Sequence, residues 1–249
     1  MSYERLWATG LLNVGAIAWR ELRAFLVSWM GWIVTALVVI PVTVLGYLGP
    51  VLGSQSASMD GVFSWVPVWM LFAMPLYTMR LLAEERSSGT LEVTLTAPVR
   101  DWELVLGKWL GVLLFYLGSI AFTVVYLLLL IRDTSGHLDY GPILTGYVGL
   151  VLVGMTFSAV GVLASSLTRN QIIAAVVAMV ALVVLWVLGT LGVFLQPPAS
   201  DIIDYAGGGS RFSAFQQGEL QLRDVVYFLT VTAAALFIAT RVLDSRRWK

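Results

Sequence analysis

The sequence predicts an all-α integral membrane protein with six transmembrane helices, and three observations carry that prediction. Apolar residues make up 59% of the 249 positions and charged residues only 12%, unlike a soluble chain. Six apolar segments meet or approach the roughly 20 residues that a helical span requires. They are 24–48, 62–79, 109–131, 143–168, 172–195 and 225–243. Finally, with both termini placed in the cytoplasm, all of the 15 Lys and Arg fall inside except Arg132, Arg211 and Arg223. The layout implies one multi-pass membrane domain, 1–249, with both termini on the cytoplasmic side. Continuous apolar runs exclude a barrel, whose strands alternate in polarity.

In chain order, the 1–23 segment reads as an N-terminal interfacial amphipathic helix. Ala18, Leu22 and Phe25 recur at helical spacing, Arg20 and Arg23 lie on another face, and Trp19 stands between. A plain polar leader is the alternative. The second span contains Pro67 and Pro75, which remove backbone donors and commonly bend a membrane helix. That helix should continue past the membrane surface until Gly89. The last span is the shortest and reaches full length only with Arg241 snorkelling to the interface.

The 80–108 loop is the longest polar interruption on the positive side and holds nine of the charged residues, from Arg80 to Lys108. A bare connector needs only a few residues. This one also carries Leu91, Val93 and Leu95 among its charges, as a docking surface would. Its 90–97 stretch alternates apolar and polar, a strand signal by period. A lone strand between two membrane helices has no pairing partner, and Leu91 and Leu95 also sit one helical turn apart, so a short helix ended by Pro98 is the reading preferred. Asp101 is placed where the third span needs an N-cap. Outside, 196–223 combines Pro197-Pro198, three successive glycines and two phenylalanines, which suits a shallow, partly re-entrant hairpin before span six.

The chemistry that is missing narrows the function. No ionisable residue lies well inside a span, which weighs against an ion-coupled carrier. No GxxxxGK[ST] loop is present, so the chain is not expected to hydrolyse a nucleotide itself. Cysteine is absent, and the single histidine, His137, beside Asp133 and Asp139, reads as a solvated turn rather than a metal site. No catalytic, cofactor-binding or metal-binding residue is assigned, and no nucleic-acid partner is expected. Hydroxyls such as Thr35, Thr43, Thr123 and Ser158 are compatible with lipid-like or amphipathic cargo. The Gly107-x-x-x-Gly111 and Gly154-x-x-x-Ser158 pairs read as generic helix packing. An energy source must therefore come from a partner, and the 80–108 loop is its handle.

The run EERSSGTLEVTLTAPVRDWELVLGK resembles the signature between spans two and three of type-2 ABC transporter permeases, with an acidic pair and Arg, Gly-Thr-Leu-Glu, a Pro, and Gly-Lys at the next span. The segments LTRNQIIAA and LQLRDVVYFLTVTAAALFIATRVLDSRRWK are similar to the gliding-motility (GldF-like) subgroup. The resemblance implies an exporter-type permease subunit that pairs with a second permease, identical or different, and with two cytoplasmic ATPases that bind ATP and Mg. It implies a cytoplasmic coupling helix at the ATPase formed by Glu84, Glu85, Arg86, Gly89, Thr90, Leu91, Glu92, Leu95 and Pro98. Arg169 and Asn170 would make a second contact, and the helix bearing Trp19, Arg20 and Arg23 a lateral one. Membrane lipid is a further partner, and an extracytoplasmic one is left open. The rival readings are a non-transporting membrane scaffold or assembly subunit and, behind it, an ion-coupled secondary carrier.

Overall fold

The computed structural model describes residues 3–50, 58–89, 99–133, 139–191 and 207–245. Every regular element among them is helical: α1 Tyr3–Val27, α2 Trp29–Pro41, α3 Asp60–Thr78, α4 Arg80–Ser87, α5 Asp101–Ala121, α6 Val124–Asp133, α7 Tyr140–Leu167, α8 Gln171–Leu191, α9 Gly208–Gln216 and α10 Leu222–Asp244. Six helical units are long and apolar enough to cross a membrane: Trp29–Leu48, Asp60–Ser87, Asp101–Arg132, Tyr140–Leu167, Gln171–Gly189 and Leu222–Asp244.

The first span begins later than the apolar run implies. Ser28 adopts an extended conformation (φ −81°, ψ 127°), so residues 24–27 belong to α1 and the span opens at Trp29. The Trp32 indole donates to the Leu26 carbonyl at 2.8 Å and holds this corner. Hydropathy alone does not see such a corner, because both sides of it are apolar. After Pro41 the helix widens into π-helical turns over Val42–Leu48. There Gly46 meets Gly61 of α3 so closely that a Cβ on Gly61 would lie 2.3 Å from the Gly46 carbonyl oxygen. The second span stays helical through Pro67 and Pro75, both buried, and passes into α4 at Met79.

At the centre stands α7. Of its apolar window 72% is buried within the chain, against 22% for α8, so α7 is mostly enclosed, apart from residues such as Leu144 and Val148, while α8 leaves most of its surface outward. Small residues make that possible. A Cβ on Gly154 would sit 1.9 Å from the Tyr116 ring, whose hydroxyl donates to the Leu150 carbonyl at 2.7 Å. Gly146 makes room for Phe63, and Gly149 for Phe212 and Phe215. The Gly154 position, expected as generic packing, is a fitted seat for one ring.

At the end of the bundle away from the α3–α4 junction, α9 lies against α7 and α8 with Phe212 and Phe215 buried. Thr145 donates to the Phe215 carbonyl at 2.6 Å. Arg211 forms a buried ion pair with Asp224 at the start of α10, and its guanidinium lies 4.6 Å from the centre of the Tyr227 ring. Gly218 (φ 86°) then turns the chain towards α10. The expected hairpin thus contains a packed helix over 208–216; residues 192–206, which lead into it, lie outside the described residues.

Candidate functional site: the inner end of the bundle

The α3–α4 junction is fastened to α7 by one serine. The Ser165 hydroxyl oxygen accepts from the Leu82 and Ala83 amides, both at 3.1 Å, and its proton goes to the Met79 carbonyl, also at 3.1 Å. These bonds engage backbone groups at the α3–α4 junction that lie inside apolar packing. Leu81, Leu82 and Ala83 are buried beside it. One turn on, Arg86 donates to the Ser166 carbonyl at 2.8 Å. The short helix α4 is therefore riveted to the bundle along one face and open along the other.

Lys108 completes the attachment from the opposite side. It is 1% exposed, and its ammonium lies 2.7 Å from Glu85 Oε1 and 2.9 Å from Glu21 Oε1. Arg20 adds a contact of 3.0 Å to Glu21 and one of 3.5 Å to Glu85. One buried cation thus joins α1, α4 and α5. An ammonium taken from water is tolerable only when its donors are matched by charged acceptors, and the two carboxylates supply that match. Burial pushes the Glu21 carboxyl up, but the charge and hydrogen bond of Lys108, with those of Arg20, outweigh it and hold the group below the usual carboxylate range.

The helix α1 reaches this cluster because α5 has no side chains in its way. A Cβ on Gly107 would lie 2.7 Å from Ile17, and one on Gly111 2.6 Å from Glu21 Cβ and 3.0 Å from the Ala18 carbonyl. The Gly107-x-x-x-Gly111 pair is an intrachain groove for α1. A second polar tie follows it: Asn13 donates to Glu103 Oε2 at 3.0 Å, and the same oxygen accepts from the Arg100 amide at 3.2 Å. The cap of α5 consequently falls at Arg100 rather than Asp101, which is the first helical residue and is buried.

This geometry revises the face assignment of α1. Ala18 and Phe25, expected to dip into the headgroup layer, are buried against the bundle, where Phe25 stacks on Phe115 at 5.1 Å and lies under Arg80 at 4.6 Å. The outward stripe is instead Leu12, Trp19 and Leu26, with Arg23 also exposed. An apolar stripe at helical spacing fixes a helix, but says nothing of whether lipid or protein covers it.

The predicted site residues separate accordingly. Glu84 is exposed, whereas Glu85 turns inward to Lys108 and Arg86 to α7. Gly89 has φ 73° and ends the helical path after Ser87, as a glycine in the left-handed region can. Thr90, Leu91, Glu92, Leu95 and Pro98 lie outside the described residues, and with them the choice between strand and helix. Arg169 is exposed; Asn170 is too, but its Oδ1 accepts from the Ile172 amide at 2.9 Å and so caps α8. Between α1 and α4 a cleft of about 310 Å³ is lined by Glu21, Arg80, Glu84, Glu85, Ser88 and Lys108.

Sequence reasoning missed Lys108, Glu21, Asn13 and Glu103 as partners, because their separations of 87 and 90 residues leave no local pattern. The Asn170 cap was legible as an Asn before a long apolar helix. The hydroxyls thought compatible with cargo are occupied inside the bundle. Thr35 pairs with Tyr77 at 3.0 Å, Thr43 with Tyr126 at 2.5 Å and Thr123 with Tyr147 at 3.1 Å, while Ser158 donates to the Gly154 carbonyl at 2.6 Å. Among the described residues no acidic or histidine cluster could hold a metal; His137 lies outside them. The family described as ABC-2 family transporter protein matches residues 15–243. No curated protein matches the chain.

Proposed function

The chain belongs to the ABC-2 family of transporter proteins, and from that premise we propose that it is the permease subunit of an ATP-driven exporter whose inner end receives force through α4. Its family normally works with a cytoplasmic ABC ATPase. In this reading two such ATPases bind ATP and Mg, and they clasp the segment following Gly89. A second permease, the same chain or another, completes the pore. Both termini face the cytoplasm of a bacterial inner membrane, 196–223 forms the re-entrant hairpin, and the chain falls in the GldF-like subgroup. Membrane lipid surrounds it, and an extracytoplasmic partner is compatible with the hairpin.

The observation that carries this reading is the asymmetric fastening of α4. One face is bonded to Ser165, Ser166 and Lys108, and the other presents Glu84. A push on the exposed face is transmitted at once to α7 through Ser165 and to α1 and α5 through Lys108. Alternating access driven this way requires no titrating group in the membrane core. Purification in mild detergent followed by mass analysis of bound chains tests it: an ATPase with a nucleotide-binding loop is expected in the complex. Recovery of the permease with no ATPase would favour the scaffold reading, and uptake driven by an ion gradient without ATP the carrier reading.

A further inference from the structure

A second cavity, of about 580 Å³, lies at the same end of the molecule between the start of α5 and the end of α10. Its volume falls within the range of small-ligand sites, about 300–1,000 Å³. The apolar wall is Leu106, Leu236 and Phe237, and Phe237 is 61% exposed, so the cleft opens sideways to where acyl chains lie. The polar end carries Arg100 and Asp101 from α5 with Arg241 and Asp244 from α10. Arg241 is held back over the Phe237 ring at 5.1 Å and reaches Asp244 at 3.7 Å.

Four charges of balanced sign stand at the polar end, above an apolar wall, at the ends of two membrane helices. That arrangement matches a ligand carrying both charges on one short headgroup above an apolar tail. Guanidinium groups suit phosphate oxygens, while a carboxylate such as Asp244 accepts from an ammonium. An acidic lipid would leave the two carboxylates facing negative charge, and a choline headgroup has no N–H to donate. We propose that this cleft binds one glycerophospholipid with a primary-ammonium headgroup, phosphate on Arg100 and Arg241 and ammonium on Asp244, its upper acyl chain along Leu236 and Phe237. The site does not depend on how ATP is coupled, because it requires only that α5 and α10 span a membrane.

The test reconstitutes the full-length protein in vesicles of equal parts phosphatidylethanolamine, phosphatidylcholine and phosphatidylglycerol, then counts lipids retained by native mass spectrometry. About tenfold enrichment of one bound phosphatidylethanolamine over phosphatidylcholine is expected, the effect of one charge-assisted hydrogen bond. Arg100→Gln with Arg241→Gln should abolish retention, and Asp244→Asn should erase the preference over phosphatidylcholine. Leu106→Trp, which fills the cleft without altering charge, should also displace the lipid. Preferential retention of phosphatidylglycerol, equal retention of all three, or retention unaffected by both Leu106→Trp and the arginine pair would overturn the assignment.

Discussion

The two ends of the bundle each bury an arginine or lysine against carboxylates, and they do so differently. At the α9–α10 end Arg211 and Asp224 are 6% and 2% exposed, join two neighbouring helices, and are roofed by Tyr227. At the α1–α4–α5 end Lys108 is equally buried, but its acceptors Glu21 and Glu85 are 14% and 20% exposed and border an open cleft. The first arrangement is a latch between α9 and α10, which the exposed Arg223 also reaches at 3.6 Å. The second spreads one charge over three helices, with the half-exposed Arg20 beside both carboxylates. A latch resists motion, whereas a shared cation at a hydrated edge lets three helices move together without exposing an unpaired charge. Under the proposed coupling, the same chemistry would anchor at one end and transmit at the other.

Breaking each end should separate stability from coupling. Arg211→Met leaves the buried Asp224 only the exposed guanidinium of Arg223, 3.6 Å away, and should cost about 3–5 kcal/mol. Thermal unfolding in detergent would measure it, and surviving complexes should retain ATPase coupling. Lys108→Met should cost less stability, about 3 kcal/mol, because Glu21 and Glu85 are more exposed than Asp224 and border an open cleft, yet transport-linked ATPase activity should be lost. Adding Glu21→Gln and Glu85→Gln to Lys108→Met should restore stability without restoring coupling. Recovery of both would mean that the cluster only holds α1 in place.

Smaller effects sharpen the contrast. Gly111→Val forces a side chain into Glu21 and the Ala18 carbonyl, and overpacking of this kind costs about 1–3 kcal/mol. Hydrogen exchange should show α1 loosened while α9 stays protected. Acid should do the same. Glu21 is held below its ordinary value of 4.5, so its contribution is complete above that pH and fades as pH falls through the lower folded value. Exchange of α1 amides should therefore rise as pH falls below 4.5 and not between 5 and 7. Least of all, Asn170→Ala should cost about 1 kcal/mol through loss of the α8 cap. Arg169→Ala should leave stability unchanged, so a weakened ATPase complex in that variant would isolate the second contact.

Much of the fold was legible, for physical reasons that also mark the limits. Spans are imposed by bilayer thickness, so apolar length alone located all six units. The corner at Ser28 escaped notice because hydropathy is the same on either side of it. The helix past the second span was legible up to Gly89, since nothing between Arg80 and Ser88 interrupts it. Which way its charges point was not. Glu84 and Glu85 are adjacent in sequence, yet one faces water and the other Lys108, a division set by the tertiary placement of α5. A substitution of both glutamates would confound interface and packing, and Glu84 alone is the cleaner probe of an ATPase contact. The Gly107–Gly111 pair was visible as a motif, but its occupant, α1, is fixed only by the three-dimensional fold.

The unity of α1, α4 and the start of α5 can be measured directly, and a chain without cysteine offers no background to site-specific labels. Spin labels introduced at Trp19→Cys and Ser87→Cys, in the assembled complex, report the α1–α4 distance with and without trapped ATP. A third label at Val180→Cys on α8 reports the distance from α1 to the opposite side. A transmitting clamp predicts that the α1–α4 distance stays constant between the two states while the α1–α8 distance shifts. A change in the α1–α4 distance on ATP binding, with the α1–α8 distance fixed, would contradict it.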